Sequence, residues 1–512
     1  MSVYVPEEFT DAESDILRRY FTNLDLPVFA LVNLPEVVKG ALFARYSRSP
    51  RSLRRLFLDE FVNDLDIDGD KAVDATVGVD RAETLYEKVF VEYGDDSVAQ
   101  LGGVHLACEQ ASNILTKILE WGRLMSYLEQ STRYIAYDDR LGGRYRYYRD
   151  PDILEGRFGT RYVGDMDRMF DSYSQLAELV TNHVRSTVVK GPKDSDFVYR
   201  QATRAKALDA VRGLLPASSL SNVGIYGSGQ GYEQLLLRMR AHPLPEARYY
   251  ADMMLVELRK VIPSFLRRVD IPERGVKWSD YLSTNTAAMR DIVDAIMGDD
   301  IATDVDEVSL IDFDPEGENK LVAAACYQYS HLPESQIRMK VEAMSVADKT
   351  DILNAYIGNR DNRRHRPGRA FESIDYRFDV LSDYGAFRDM QRHRLLTIEW
   401  QPLTPYHGYS RPELVDASGG AELFDEVMAR SSSLYDALAA DYPFQASYAV
   451  SMAYRIRYVM QFNAREAMHM LELRSGPQGH PSYRRVALEM HKQISEKAGH
   501  HAVAAAMSHM TT

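Results

Sequence analysis

Residues 28–36 read VFALVNLPE and residues 308–316 read VSLIDFDPE; each is a short apolar alternation that ends in Pro-Glu. An alternation of that length predicts a half-buried strand. Its recurrence raises the question of whether the chain is written twice, which must be settled before any fold is assigned. Two further matches follow in the same order. Ala44-Arg45-Tyr46-Ser47 stands after the first string as Tyr327-Gln328-Tyr329-Ser330 stands after the second, and residues 245–254 (PEARYYADMM) parallel residues 481–490 (PSYRRVALEM). Collinear order argues against chance. Two related units are expected, over residues 20–290 and 305–512, joined through the acidic, apolar-poor stretch MGDDIATDVDE at residues 297–307.

Within the first unit Leu101, Val104, Cys108, Ala111, Leu115, Ile118 and Leu119 recur at steps of three and four, which predicts an amphipathic helix. In the second, Phe378, Leu381, Tyr384, Phe387 and Met390 recur at steps of three and lead into the polar Gln391-Arg392-His393-Arg394. Residues 458–474 contain few breakers and many strong helix formers, so a helix is expected there as well. Short strands among many helices make the fold class α+β.

Composition narrows the function. The chain has 512 residues, of which 45% are hydrophobic, and its 61 Lys plus Arg against 75 Asp plus Glu leave a net charge of −14. That sign excludes the general positive field of a nonspecific nucleic-acid binder, while a few placed arginines can still hold a small anion. No stretch approaches the ~18 consecutive apolar residues of a membrane span. The first 14 residues, MSVYVPEEFTDAES, carry acid where a secretory signal is basic and apolar, so a cytoplasmic location is expected. Cys108 in LACEQA and Cys326 in AACYQY sit in apolar settings and read as structural thiols.

The chemistry-bearing strings are polar and lie beside these apolar segments. In residues 123–134, RLMSYLEQSTRY, an extended chain would put Glu129, Ser131 and Arg133 on one side. A guanidinium fork and a hydroxyl suit a phosphate monoester, and a carboxylate can order the arginine or accept from a sugar hydroxyl. A solvated turn is the other reading. Arg392-His393-Arg394 at a predicted helix end can clamp an anion, or can answer the helix dipole at about 0.3–1 kcal/mol per cation. On the expected helix that follows, Arg465 and His469 share a face, and Asn463 and Arg474 lie about three turns apart on a common side. The Gly-rich GSGQG at residues 227–231 reads as a tight turn rather than a phosphate cradle. The Tyr/Arg-rich residues 140–157 read as a solvated loop or a stacking surface.

Taken together, the RxxSxxExSxRY string of the first half with the RHR, NAR and terminal LR of the second resembles the flavin-dependent thymidylate synthases, one family unit per half. The first half keeps the family's nucleotide loop as Glu129, Ser131, Thr132 and Arg133, and Arg212 in VRGLLP, but has Trp121-Gly122-Arg123 where the family has RHR. The second keeps Arg392-His393-Arg394, but Pro402 and Thr404 stand in its nucleotide loop and Ser447 in ASYAVS stands in place of the arginine. The flavin-contacting NxR is matched by Asn463 and Arg465, with His469 beyond, against Gly229-Gln230-Gly231 in the first half. The family's GHxSPFEH segment survives partly as Gly94-Asp95-Asp96-Ser97 in the first half and as Phe371-Glu372 in the second.

The resemblance implies conversion of dUMP to dTMP, with FAD as cofactor and NADPH and methylenetetrahydrofolate as co-substrates. Glu129, Ser131, Thr132, Arg133 and Arg212 would hold the nucleotide. Arg392, His393, Arg394, Asn463, Arg465, His469, Ser97 and Glu372 would hold the flavin, and Arg474 with Arg240 would meet the pyrimidine. The losses in the two halves are complementary, which implies composite sites between halves and a homodimer that reproduces the family's four-unit assembly. The partner expected is a small-molecule nucleotide, with neither a nucleic-acid polymer nor a membrane. A catalytically silent flavin- or nucleotide-binding scaffold descended from such an enzyme is the alternative.

Overall fold

Each half of the chain builds the same four-stranded antiparallel sheet. The computed structural model describes residues 4–34, 36–62, 100, 102–192, 194–298, 300, 303 and 305–511. In the first half β1 (Val28–Leu31), β2 (Gly103–Ser112), β3 (Met125–Glu129) and β4 (Leu220–Ser228) pair in the order β1-β2-β4-β3. Its helices include α1 (Asn113–Leu119), α2 (Gly159–Thr187), α3 (Asp196–Val211), α4 (Gly229–Ala241), α5 (Pro245–Arg259) and α6 (Lys277–Met297). In the second half β5 (Val308–Phe313), β6 (Asp375–Asp383), β7 (Thr397–Trp400) and β8 (Arg455–Asn463) pair as β5-β6-β8-β7, with α7 (Tyr384–Met390), α8 (Ala421–Ala439), α9 (Ala464–Arg474) and α10 (Pro481–Glu496) among the helices. The fold is α+β in two tandem copies, and the two apolar alternations quoted above are the edge strands β1 and β5.

The long helices expected from the apolar spacing are in fact strand–helix junctions. Residues 103–112 are strand β2, and only residues 113–119 are helical; residues 375–383 are strand β6 and only residues 384–390 are helical; residues 458–463 finish strand β8 before α9 begins. The physical reason is an N-cap placed at each strand end. Ser112 Oγ accepts the Leu115 N–H, Asp383 Oδ1 that of Ala386, Ser228 Oγ that of Gly231 and Asn463 Oδ1 that of Glu466. A cap of this kind starts a helix without any intervening loop, so apolar residues run on through the change of period. Strand β8 alternates along its whole length, with Ile456, Tyr458, Met460 and Phe462 buried between half-buried neighbours. Val459 on the outer face hides that alternation in the sequence.

By contacts the chain divides into two units, Met1–Ile301 with Arg411–Ser451, and Ala302–Ser410 with Met452–Thr512. Residues 411–451 of the second copy therefore belong with the first. There α8 packs on α2, and at its start a methyl on Gly420 would come within 2.2 Å of Leu176. In the same unit Glu246 of α5 is fully buried and accepts from the Ser112 N–H (2.8 Å), the Ser112 hydroxyl (2.6 Å) and the Tyr448 hydroxyl (2.7 Å).

The Tyr/Arg-rich segment is solvated at residues 142–144, but its middle is packed. Tyr145, Tyr147 and Tyr148 are buried, and both Tyr145 and Tyr147 pack on Phe170 of α2. Arg140, Arg146 and Arg149 lie over the rings of Tyr145, Tyr137 and Tyr147, so the interleaving serves cation–π packing within the unit. No helix among the described residues is long and apolar enough to cross a membrane.

Candidate functional site

Two polar clusters flank the corresponding strands of the two copies, one just after β3 and the other just before β7. In the first, strand β3 ends at Glu129 and the chain turns through Ser131, Thr132 and Arg133. Ser131 donates its N–H to the Ser47 carbonyl (3.1 Å), and its hydroxyl accepts the Arg133 N–H (3.3 Å). That turn breaks the alternation expected for an extended chain. Glu129 points away into the interior, where Lys117 lies 3.0 Å from its carboxylate and also bonds Glu120. Arg133 instead meets Arg212. Their Nε atoms lie 3.0 and 3.5 Å from the same oxygen of Asp209, so two guanidiniums converge on one carboxylate. Beside this loop opens a cleft of about 510 Å³ lined by Arg48, Tyr134, Gln201, Arg204 and Leu208.

In the second copy α7 ends at Met390 and the chain turns, leaving Arg392 exposed, His393 buried and Arg394 half-buried. His393 is the hub. Its Nδ1 lies 3.0 Å from Glu466 and its Nε2 accepts from Arg474 Nε at 3.1 Å. Burial, aided by the Arg474 cation, holds the imidazole well below its ordinary pKa, so the ring is neutral. A guanidinium can only donate; Nε2 therefore carries the lone pair, and Nδ1–H donates to Glu466. Arg474 is completed by Asp389 at 3.6 Å and by the Tyr483 ring at 5.3 Å.

The remaining residues singled out in this copy have structural partners too. Asn463 spends its side-chain oxygen on the α9 cap. Arg465 donates to the Pro367 carbonyl (3.0 Å) and lies 3.4 Å from Glu372, which also pairs with Arg369. His469 packs edge-on against His393, with ring centroids 5.4 Å apart, and burial lowers its pKa. Ser97 lies outside the described residues. In the counterpart of the nucleotide loop, Thr404 caps the short helix Pro405–His407.

His393, Glu466 and His469 bring three ligand-type atoms within 4.8 Å of one another. The tautomer just derived places a proton on the His393 nitrogen that faces Glu466, and Arg366, Arg465 and Arg474 add positive charge around the three. The cluster is built as a hydrogen-bond relay, not a cation cage.

The packing beside Trp121 and the helix caps of the two copies revise two assignments. The C-cap of α1 is Glu120 and that of α7 is Gln391, so Trp121-Gly122-Arg123 does stand where Arg392-His393-Arg394 stands. The arginine packed there in the first copy is Arg238, whose guanidinium lies 4.9 Å from the Trp121 ring centroid. Arg240 points elsewhere, into a surface ion pair with Asp252 at 2.9 Å. Likewise the N-caps align Ser228-Gly229-Gln230, not Gly229-Gln230-Gly231, with Asn463-Ala464-Arg465. Glu466 was missed by sequence reasoning. Its only signal was the Asn-x-x-Glu spacing, which normally marks a helix cap.

The family model described as thymidylate synthase complementing protein matches this chain twice, over residues 44–264 and 309–499. The UPF0159 protein of Chlamydia pneumoniae is 39% identical over 495 residues, covering 95% of this chain and 93% of that protein. That of Chlamydia muridarum is 38% identical over 493 residues, with 95% and 93% covered. A UPF0159 protein of Thermoplasma acidophilum is 31% identical over 483 residues, with 89% and 92% covered.

Proposed function

Because the chain belongs to the thymidylate synthase complementing protein family, the flavin-dependent thymidylate synthases, in two tandem copies, we propose that it methylates C5 of a uridylate nucleotide, with dUMP to dTMP the conversion that fits. The observation that carries this reading is the sorting of groups between copies. Arg133 and Arg212 share Asp209 in one, whereas the RHR turn is organised around His393 and Arg474 in the other. Undirected decay has no reason to sort losses by ligand.

Arg133, Arg212 and the Ser131 hydroxyl would take the nucleotide phosphate, since two converging guanidinium forks and a hydroxyl suit its oxygens. Arg392 and Arg394, outward on either side of buried His393, suit the paired negative charges of a dinucleotide cofactor's pyrophosphate. Bound FAD, reduced by NADPH, would supply hydride, and methylenetetrahydrofolate the carbon. Arg474 would stabilise the negative charge that develops on the pyrimidine ring, held in place by His393 before the substrate arrives. Cys108 takes no part. Burial raises its thiol pKa far above the ordinary value, the opposite of what a nucleophile needs. Two copies of the chain, in the cytoplasm, would assemble the composite sites, with no role for a nucleic-acid polymer or a membrane.

The test is ligand binding by the purified chain. The protein should be yellow, Arg392→Ala should lose flavin and keep nucleotide, and Arg133→Ala should do the reverse. Tritium at C5 of deoxyuridylate should be released when folate donor and NADPH are present. One observation favours the alternative of a silent scaffold: Glu129 is locked under Lys117. A protein that binds nucleotide but releases no tritium would decide for it.

A further inference from the structure

The helix α6 lies between the two family-matched segments and is unlike the others. It is 21 residues long and buries none of them, whereas every other described helix of ten residues or more buries at least one side chain. Trp278, Leu282, Asn285, Met289, Ile292 and Ile296 follow one another at alternating steps of four and three, the spacing of a coiled-coil seam. Trp278, Met289, Ile292 and Ile296 are 50, 59, 54 and 69% exposed, and flanking Tyr281, Val293 and Met297 are 62, 44 and 58% exposed. Among the described residues, the chain's own anchors leave this seam open. Ser279 donates to the Leu237 carbonyl at 3.2 Å and Arg290 lies over the Phe444 ring, both from one flank of the helix.

Charge placement identifies the occupant. Lys277, Asp280, Arg290, Asp291 and Asp294 all fall away from the seam and from the positions directly beside it. Two copies of an acidic chain can therefore meet here without like charges in contact. A membrane surface does not suit the helix, whose polar side carries three acids against two bases, where an interfacial helix is rich in Lys and Arg. The lone Asn285 would be unsatisfied in lipid, but against an identical helix its amide finds a matching donor and acceptor. Side chains of this size present an apolar face on the order of 800 Å² per copy, about the per-partner area of a specific interface.

We propose that α6 pairs with α6 of a second copy of this chain in a two-stranded coiled coil, with Asn285 in the seam fixing its register. The connector between the tandem copies is then a contact between chains.

The experiment is sedimentation equilibrium of the full chain at micromolar concentration. The wild-type chain should be a dimer or a multiple of it, and Met289→Glu combined with Ile292→Glu should halve the mass. Because both residues are exposed, the monomer should keep the far-UV circular dichroism of a folded chain, with its unfolding midpoint lowered only by what self-association adds. Asn285→Leu should retain association and add species of higher mass. A monomeric wild-type chain overturns the proposal, as does a double variant with wild-type mass. Binding of a monomeric wild-type chain to anionic phospholipid vesicles, abolished in the double variant, would overturn it in favour of a membrane.

Discussion

Replacing Glu466 by Ala should disable Arg474 without touching it. Glu466 is 3% and His393 6% exposed, so the substitution strands the His393 Nδ1–H in the interior, at a cost of about 1–3 kcal/mol for a buried donor left unpaired. The ring then has no reason to keep its proton on Nδ1. If the proton moves to Nε2, that nitrogen faces the Arg474 Nε–H at 3.1 Å as donor against donor, and the guanidinium is released from its frame. A loss of about 2 kcal/mol in transition-state stabilisation corresponds to roughly 30-fold in rate. The assay is tritium release from C5 of deoxyuridylate, with kcat and KM separated. If Arg474 acts, as proposed, on charge that appears in the transition state, kcat should fall by roughly 30-fold with little change in KM. Glu466→Gln retains a carbonyl acceptor and should restore most of kcat, which a merely packing role would not require. If Glu466→Ala has wild-type kcat, or if Gln is no better than Ala, the relay does not position Arg474.

Arg240→Ala should be nearly silent, within about 1 kcal/mol, as expected for an exposed ion pair, whereas Arg238→Ala, stripped from its place over Trp121, should destabilise the chain measurably by denaturant titration. Lys117→Ala leaves Glu120 and Glu129 facing each other in the interior, and the same titration should register a loss of about 3–5 kcal/mol. Burial pushes the Glu246 carboxyl up to about 7 from 4.5, outweighing its three donors. The folded state then keeps a proton that the unfolded state gives up, so its contribution is complete below pH 4.5 and is lost as pH rises towards 7. That slope amounts to about 3 kcal/mol at 1.36 kcal/mol per pKa unit. Glu246→Gln should flatten it in unfolding curves taken across this range.

Much of the candidate site was legible because it is carried by short local strings. RHR, NAR and the SxR loop keep their spacing whatever surrounds them, and Arg133 and Arg212 were paired in expectation as they are around Asp209. The strand–helix junctions were not legible. A capping Ser, Asp or Asn costs one residue, and the outer-face Val459 erases the alternation that would have announced strand β8. Arg238 was passed over for Arg240 because two residues on a helix differ by about 200° in direction, and only the packing of α4 shows which of them meets Trp121.

By itself, the sequence determined the duplication, the α+β class and the heptad spacing of residues 278–296, since repeats and periods are properties of order along the chain. Only the tertiary structure decided that Glu129 is spent on Lys117, that Glu466 governs the His393 tautomer, and that the seam of α6 is left open by the described residues. Each of these depends on which distant groups share a low-dielectric interior or the solvent, and residues 12 to 81 positions apart meet there in ways that no local spacing records.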